Sequence, residues 1–127
     1  MIDHVSIAVR DLASGARFYL AVLAALGYSK LVSRPGTIGF GKKYPEFWLN
    51  ERRAMTPVDP DSGAHVCLRA PDTAAVDAFH AAALQAGGRS DGAPGPRPEY
   101  SAGYYAAFVR DPEGNRIEAV TFVTARA

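Results

Sequence analysis

The sequence has a single cysteine, Cys67, among its 127 residues. An internal disulfide and a thiolate zinc cluster are therefore both excluded, and a reducing, cytoplasmic location is the expectation. The sequence also has no run of apolar residues that approaches the roughly 18 needed to span a membrane. Its first residues lack the basic and then apolar segments that are typical of signal peptides. We therefore expect a soluble chain that is not processed.

An excess of charge of one sign is lacking as well. The 14 basic and 13 acidic side chains leave a formal net charge of +1, without a block of like charges. This balance does not indicate nucleic acid or an anionic membrane as a partner, whereas a small-molecule substrate remains open. With 48% hydrophobic residues, the chain is long enough to bury the core of one domain, which we predict to span residues 1–127.

An internal repeat organises the sequence. Residues 3–27 align without a gap on residues 64–88, at an offset of 61 positions. The alignment pairs identical residues, including His4/His65, Asp11/Asp72, Phe18/Phe79 and Gly27/Gly88. Such self-similarity indicates two copies of one structural unit. We predict module one at about residues 1–50, a linker at 51–62 and module two at about 63–123.

Each copy has the pattern of a strand followed by a helix and then by further strands. Alternating apolar residues predict the first strand, an aspartate is the predicted helix cap, and a glycine is the predicted helix end. The predicted apolar stripe of the second helix includes Val76, Phe79 and Leu84. Further strands are predicted at residues 28–33, 37–41, 46–50, 104–110 and 116–123. Residues 92–103 are so rich in Pro and Gly that we predict a loop there.

The same alternation places polar side chains on the face of each sheet that is turned away from its helix. His4 and His65 then occupy equivalent positions, and Glu118 shares this open face in the last strand. Imidazole and carboxylate together suit zinc, nickel, iron or manganese, so these three residues are predicted metal ligands. Glu46, in the last strand of module one, is the candidate fourth ligand. The two faces meet if a pseudo-twofold axis relates the modules, either within a chain or across a dimer.

Three segments of the sequence carry a resemblance to a known superfamily. They are the His-Val strand openings at His4 and His65, the helix start at residues 11–19, and the closing Asp-Pro-Glu-Gly-Asn-Arg-Ile-Glu segment at residues 111–118. Together they resemble the vicinal-oxygen-chelate superfamily, which contains glyoxalase I, extradiol dioxygenases, fosfomycin-resistance transferases and bleomycin-binding proteins. The resemblance implies an α+β fold of two βαβββ modules that form a curved cleft, and usually a homodimer. It implies the same three ligands, with Glu46 matching the fourth ligand of the glyoxalase type.

The resemblance leaves three functions open. The first, which we prefer, is a glyoxalase-like lyase or isomerase that uses a divalent metal, acts on adjacent substrate oxygens through an enediolate-type intermediate, and moves a proton with Glu118 or Glu46. The second is an iron-dependent extradiol dioxygenase with His4, His65 and Glu118 as its two-histidine, one-carboxylate triad. The third is a metal-free protein that sequesters an aromatic drug or metabolite.

Further side chains are candidates for contact with the substrate. Arg97, in the predicted Pro-rich loop, has a guanidinium group that suits a carboxylate or an enolate. Cys67 shares the face of His65, and we interpret it as a small packed side chain. The candidate substrate residues are Trp48, Arg97, Tyr100 and Tyr104.

Overall fold

The chain forms two successive βαβββ units in the computed structural model, which describes residues 1–123. The elements of the first unit are β1 (Val5–Val9), α1 (Leu12–Ala24), β2 (Ser29–Arg34), β3 (Thr37–Gly41) and β4 (Pro45–Glu51). Those of the second unit are β5 (His65–Arg69), α2 (Thr73–Gln85), β6 (Arg89–Pro96), β7 (Tyr104–Arg110) and β8 (Arg116–Phe122). The predicted α+β fold with two βαβββ modules is confirmed.

The two units have the same sheet topology. The first sheet has the strand order β1-β4-β3-β2, and the second has β5-β8-β7-β6. In both sheets the first and last strands of the unit pair in parallel, and the other neighbours are antiparallel. The strand that begins with His65 therefore lies beside the strand that contains Glu118.

Both helices begin at the predicted aspartate caps. The side chain of Asp11 accepts a hydrogen bond from the backbone N–H of Ala13 at 3.1 Å, and that of Asp72 accepts one from Ala75 at 2.8 Å. These bonds satisfy N–H groups that have no partner inside the helix. Gly27, which follows α1, has φ +86°, a backbone conformation that glycine adopts without strain. Within residues 1–123, neither helix is long and apolar enough to cross a membrane.

The helices and the helix-facing sides of both sheets share one hydrophobic core. The buried residues of α2 follow the line of Val76, Phe79 and Ala83. Leu84 is one position beyond this line, about 100° further around the helix, and is 46% exposed. The prediction that Leu84 belongs to the apolar stripe is therefore wrong. Because the core is common to both units, each sheet has its open face on the side away from that core.

The prediction of a loop over the whole of residues 92–103 is wrong in its first part. Strand β6 continues to Pro96 and pairs with β7, with register shifts between Ser90 and Gly92 and between Gly92 and Gly95. Proline and glycine are tolerated here because β6 is an edge strand, which leaves one side of its backbone free of sheet hydrogen bonds. Only residues 97–103 form the connection to β7.

The turn between β7 and β8 ties the second unit to the first. Asp111 is 2% exposed and accepts a hydrogen bond from the Tyr19 hydroxyl of α1 at 2.6 Å. It also accepts bonds from the backbone N–H groups of Glu113 and Asn115. Burial raises the pKa of Asp111, although these hydrogen bonds oppose the rise. Glu113 in turn accepts hydrogen bonds from the backbone and the side chain of Arg10, at the end of β1.

Candidate functional site

The centre of the candidate site is a histidine–glutamate pair in the second sheet. Nε2 of His65 lies 3.1 Å from Oε1 of Glu118. The Glu118 side chain is only 3% exposed, whereas the His65 side chain is 48% exposed. The difference follows from the sheet order, because β8 is an inner strand and β5 is at the edge. A buried carboxylate therefore has an imidazole on its solvent side.

Two further protic groups surround this carboxylate. The hydroxyl of Tyr104 donates a hydrogen bond to Oε2 of Glu118, and Cys67 lies directly opposite Glu118 in the β5–β8 register. Burial and the charge of Glu118 raise the pKa of the Cys67 thiol to about 12. Burial and the hydrogen bond to Glu118 also raise the pKa of Tyr104. Both groups are therefore protonated at neutral pH. The thiol is partly covered beside Glu118, but Cys67 as a whole is exposed on this face, so its interpretation as a packed side chain is wrong.

Aromatic rings extend the open face of the second sheet, which we call the second open face (Cys67, Tyr104, Phe108, Glu118 and Phe122). Phe108 is the β7 partner of Glu118, and Phe122 is the β8 partner of Tyr104. The rings of Tyr104 and Phe122 meet edge to face with centroids 5.4 Å apart, and Tyr100 meets Tyr104 in the same way at 5.2 Å. Tyr100 and Tyr104, both predicted as substrate residues, thus lie together, and Tyr104 contacts Glu118.

The first sheet offers a different environment around His4. This residue immediately precedes β1, and its side chain is 52% exposed, with Nδ1 at 2.7 Å from Oδ1 of Asp3. It lines an open crevice together with Tyr44 and Trp48. The Trp48 indole lies over Gly39, where a Cβ atom would be 2.8 Å from the ring. We call this side of the first sheet, with Gly39, Trp48 and the adjacent His4, the first open face.

Glu46 lies in another crevice, between the beginning of β4 and the end of β5. Burial and the nearby charge of Glu46 raise the pKa of Tyr28, which lines the same crevice. The second sheet contributes Arg69 and Phe122 to the same crevice. Glu46 therefore has polar neighbours in its own chain, apart from His65 and Glu118.

The structure thus brings together two of the four predicted metal ligands, His65 and Glu118, and leaves His4 and Glu46 outside that pair. Within the described residues 1–123, no group of three or more His, Cys, Asp or Glu side chains is arranged to hold a metal ion. The pair still fits half of a divalent-metal site, because one imidazole nitrogen and one buried carboxylate converge on the same open face. The assignment of all four ligands stays a prediction.

The contact between Tyr104 and Glu118 was not foreseen from the sequence, although Tyr104 was a candidate substrate residue. The signal lies in the turn at residues 111–115, which sets Arg110 opposite Arg116 and therefore Phe108 opposite Glu118. Tyr104 is four residues further along the same face, so only a long side chain can reach back to Glu118. The register of this hairpin had to be known before the contact could be inferred.

The chain belongs to the Glyoxalase/Bleomycin resistance protein/Dioxygenase superfamily, whose family model matches residues 1–119. The resemblance stated from the sequence motifs is thereby confirmed. No sequence among the curated proteins matches this chain significantly.

Solved structures of similar proteins support the same assignment. A glyoxalase/bleomycin resistance protein from Albidiferax ferrireducens T118 is 30% identical, with a TM-score of 0.83 over 93% of this chain and 96% of the other. A glyoxalase/bleomycin resistance protein/dioxygenase family enzyme from Burkholderia phytofirmans PsJN is 20% identical, with a TM-score of 0.72 over 96% and 98% of the two chains. The fosfomycin resistance protein FosX from Mesorhizobium loti is 17% identical, with a TM-score of 0.70 over 97% and 92%. The last two similarities concern the fold alone.

Proposed function

We propose that this protein is a glyoxalase-like, metal-dependent lyase or isomerase that acts on a small substrate with adjacent oxygens. The observation that carries the proposal is the contact between Nε2 of His65 and Oε1 of Glu118, at 3.1 Å. The Glu118 side chain is only 3% exposed. Burying a carboxylate costs free energy unless a partner compensates its charge. A divalent cation would compensate it, and imidazole with carboxylate is a ligand set that such cations accept.

The complete metal site would take His65 and Glu118 from one copy of the chain and His4 and Glu46 from a second copy. Each open face lies away from the core that the two units share, so a homodimer would let the first open face of one copy meet the second open face of the other. Large apolar side chains that are exposed at or beside these faces support this pairing, since a partner would cover them. They are Tyr44, Tyr100 and Phe122, with 57%, 59% and 44% exposure.

The bound cation would supply positive charge that stabilises negative charge on two adjacent substrate oxygens. The proton transfer between the adjacent carbons would fall to the carboxylate of Glu118 or of Glu46. Tyr104 would hold Oε2 of Glu118 and so fix the orientation of this carboxylate. Because its pKa is raised, the Tyr104 hydroxyl remains a donor throughout the neutral range.

The metal content of protein purified without chelators tests this proposal. His65→Ala and Glu118→Gln should lose the metal, whereas His80→Ala and Glu99→Gln should keep it. His80 pairs with Ser90 away from the site, and Glu99 is exposed in the β6–β7 connection. The metal-loaded protein should also exchange the carbon-bound protons of dihydroxyacetone with D₂O, as followed by NMR. Failure to retain any divalent metal after loading would contradict the proposal.

Glu46→Gln separates the lyase from an iron-dependent dioxygenase of the same fold. Loss of metal in this variant favours the four-ligand site, and retention favours a triad without Glu46. The observation that favours the triad is that Glu46 lies in a crevice with Tyr28, apart from the pair of His65 and Glu118. A third function, binding of an aromatic compound without metal, is favoured by the edge-to-face rings of Tyr100, Tyr104 and Phe122. Ligand binding that chelators leave unchanged would support it.

A further inference from the structure

We propose that the ligand of this site carries a carboxylate group and that Arg97 binds that group. The proposal rests on the proposed function only in placing the ligand on the second open face. It adds a substrate class, namely small organic acids, and a specificity-determining residue. Arg97 is held by backbone carbonyls, has no acidic partner within residues 1–123, and lies over Phe108, the β7 neighbour of Glu118.

Backbone oxygens hold the Arg97 guanidinium in place. Nη2 donates a hydrogen bond to the carbonyl of Ala93 at 2.7 Å, and Nη1 donates to those of Gly95 at 2.9 Å and Pro96 at 3.3 Å. The guanidinium carbon also lies 5.4 Å from the centroid of the Phe108 ring, in a cation–π contact. These contacts fix the orientation of a side chain that would otherwise be flexible.

The glycines of β6 make room for this arrangement. A Cβ atom at Gly92 would lie 2.9 Å from the Phe108 ring and 3.3 Å from Nη2 of Arg97, and one at Gly95 would lie 3.4 Å from Nη1. A side chain at position 92 would therefore compete with the guanidinium for the face of Phe108. Gly92 thus has a structural reason, which is that it leaves room for the Arg97 guanidinium over Phe108.

The positive charge of Arg97 has no acidic partner within residues 1–123. Its carbonyl contacts occupy at most three of the five N–H groups of a guanidinium, so at least two N–H groups remain for a ligand. Arg110 and Arg116 differ in this respect, because both lie within ion-pair distance of Asp91. Arg97 is therefore a fixed cation with free donors.

Arg97 also lies where a ligand of the proposed metal site would extend. Its support, Phe108, is the direct β7 neighbour of Glu118, and neighbouring strands are about 4.8 Å apart. On the other side of Glu118, the Arg69 guanidinium lies 5.1 Å from the centroid of Phe122. A small acid whose reacting atoms lie at Glu118 can thus place its carboxylate on Arg97, where fork-like bonds to a guanidinium are strong and directional.

Calorimetric titration with benzoate and with its neutral analogue benzamide tests the proposal. The experiment uses the full chain in the presence of a chelator, so that its outcome does not depend on metal binding. Wild-type protein should bind benzoate about tenfold or more tightly than benzamide, because charge-assisted hydrogen bonds contribute more than neutral ones. Arg97→Gln should lose this preference, and Arg97→Lys should keep part of it. Arg89→Gln, which alters an exposed arginine of the same strand, should behave as wild type.

Equal binding of benzoate and benzamide by the wild type would overturn the proposal, as would an undiminished preference in Arg97→Gln. If Arg97→Gln does not fold, Arg97→Lys decides. Weaker benzoate binding with unchanged benzamide binding supports the proposal, and unchanged binding of both overturns it. A protein that fails to hold metal yet prefers benzoate through Arg97 would contradict the proposed function and leave this inference standing.

Discussion

The two repeats place a histidine at matched positions, His4 and His65, but the surroundings of these residues differ. His65 faces a buried glutamate on an inner strand, whereas His4 is exposed and has only its neighbour Asp3 as a hydrogen-bonding partner within the described residues. The carboxylates differ too, since Glu118 accepts a hydrogen bond from Tyr104, whereas Glu46 lines a crevice with Tyr28 and Lys42. The repeat therefore matches the positions of the two histidines but not their surroundings.

Matched positions of the two helices also differ in burial and in hydrogen-bonding partners. Leu23 and Leu84 are matched by the repeat, but Leu23 is fully buried and Leu84 is 46% exposed. Tyr19 and His80 are also matched, yet Tyr19 is bonded to the buried Asp111 while His80 is bonded to Ser90 near the surface. Leu23 and Tyr19 of α1 thus lie in the core, whereas the matched positions of α2 lie at or near the surface. Paired substitutions at matched positions should reveal this asymmetry as differences in the free energy of unfolding.

The largest effect is expected for Leu23→Ala. Removing a fully buried leucine side chain should lower the free energy of unfolding by about 3 kcal/mol, because burial is lost and a cavity remains. Leu84→Ala should change it by less than about 0.5 kcal/mol, as for other exposed positions. Urea unfolding at one fixed protein concentration measures both values. Equal losses would contradict the difference between the helices.

The second effect concerns the bond between the two units. Tyr19→Phe removes the hydroxyl that donates a hydrogen bond to Asp111. The free energy of unfolding should therefore fall by about 2 kcal/mol, which is typical of a hydrogen bond to a charged group. His80→Gln, at the matched position, should cost less than about 0.5 kcal/mol. Chemical unfolding followed by far-UV circular dichroism compares the free energies of unfolding of the two variants. A Tyr19→Phe variant as stable as the wild type would show that this bond does not hold the units together.

The helix caps are the positions at which the repeats should behave alike. Asp11→Ala and Asp72→Ala each remove a side chain that accepts a backbone N–H bond, and each should cost about 1 kcal/mol. Asp11→Asn and Asp72→Asn are the matched controls, because asparagine also caps helices well. Thermal unfolding of the four variants measures the effect. A loss confined to one cap would break the equivalence of the repeats at this position.

The smallest effect is a pH dependence that arises from Asp111. Since burial raises its pKa in the folded chain, the folded state binds the proton more tightly than the unfolded state. The contribution of this group to stability is therefore fully present below the ordinary pKa of aspartate and is lost as pH rises through the raised value. The stability difference between wild type and Asp111→Asn should shrink over this interval. A stability difference that grows as the pH rises would contradict a raised pKa of Asp111.

Much of the fold could be predicted from the sequence because its signals are local. Alternation in β1 and β5, the aspartates before the helices and the turn at residues 111–115 each act within a few residues. The second part of β6, residues 92–96, was predicted as a loop because its Pro and Gly residues are typical of loops. The contact of Arg97 with Phe108 becomes visible only once β6 lies beside β7.

The candidate site could be predicted only in part. The alternation of residues along the strands placed His4, His65 and Glu118 on open faces. In the structure, the first strands of the two modules lie in separate sheets, and both sheets pack against one core. Whether the first and second open faces meet depends on how the helices pack between the two sheets and on whether a second copy of the chain binds. The alternation of residues along a strand encodes neither. The sequence therefore left open whether the site forms within a chain or across a dimer.

The central claim is that two copies of the chain complete one metal site. Mixing two variants that each lose the metal tests this claim most directly. His4→Ala and His65→Ala subunits are unfolded together, refolded as a mixture and loaded with metal. If the site joins His4 of one copy to His65 of the other, each mixed dimer of twofold symmetry has one intact site, so the mixture should bind about one ion per four chains while each variant alone binds none. A mixture that binds no more metal than the separate variants would contradict the claim.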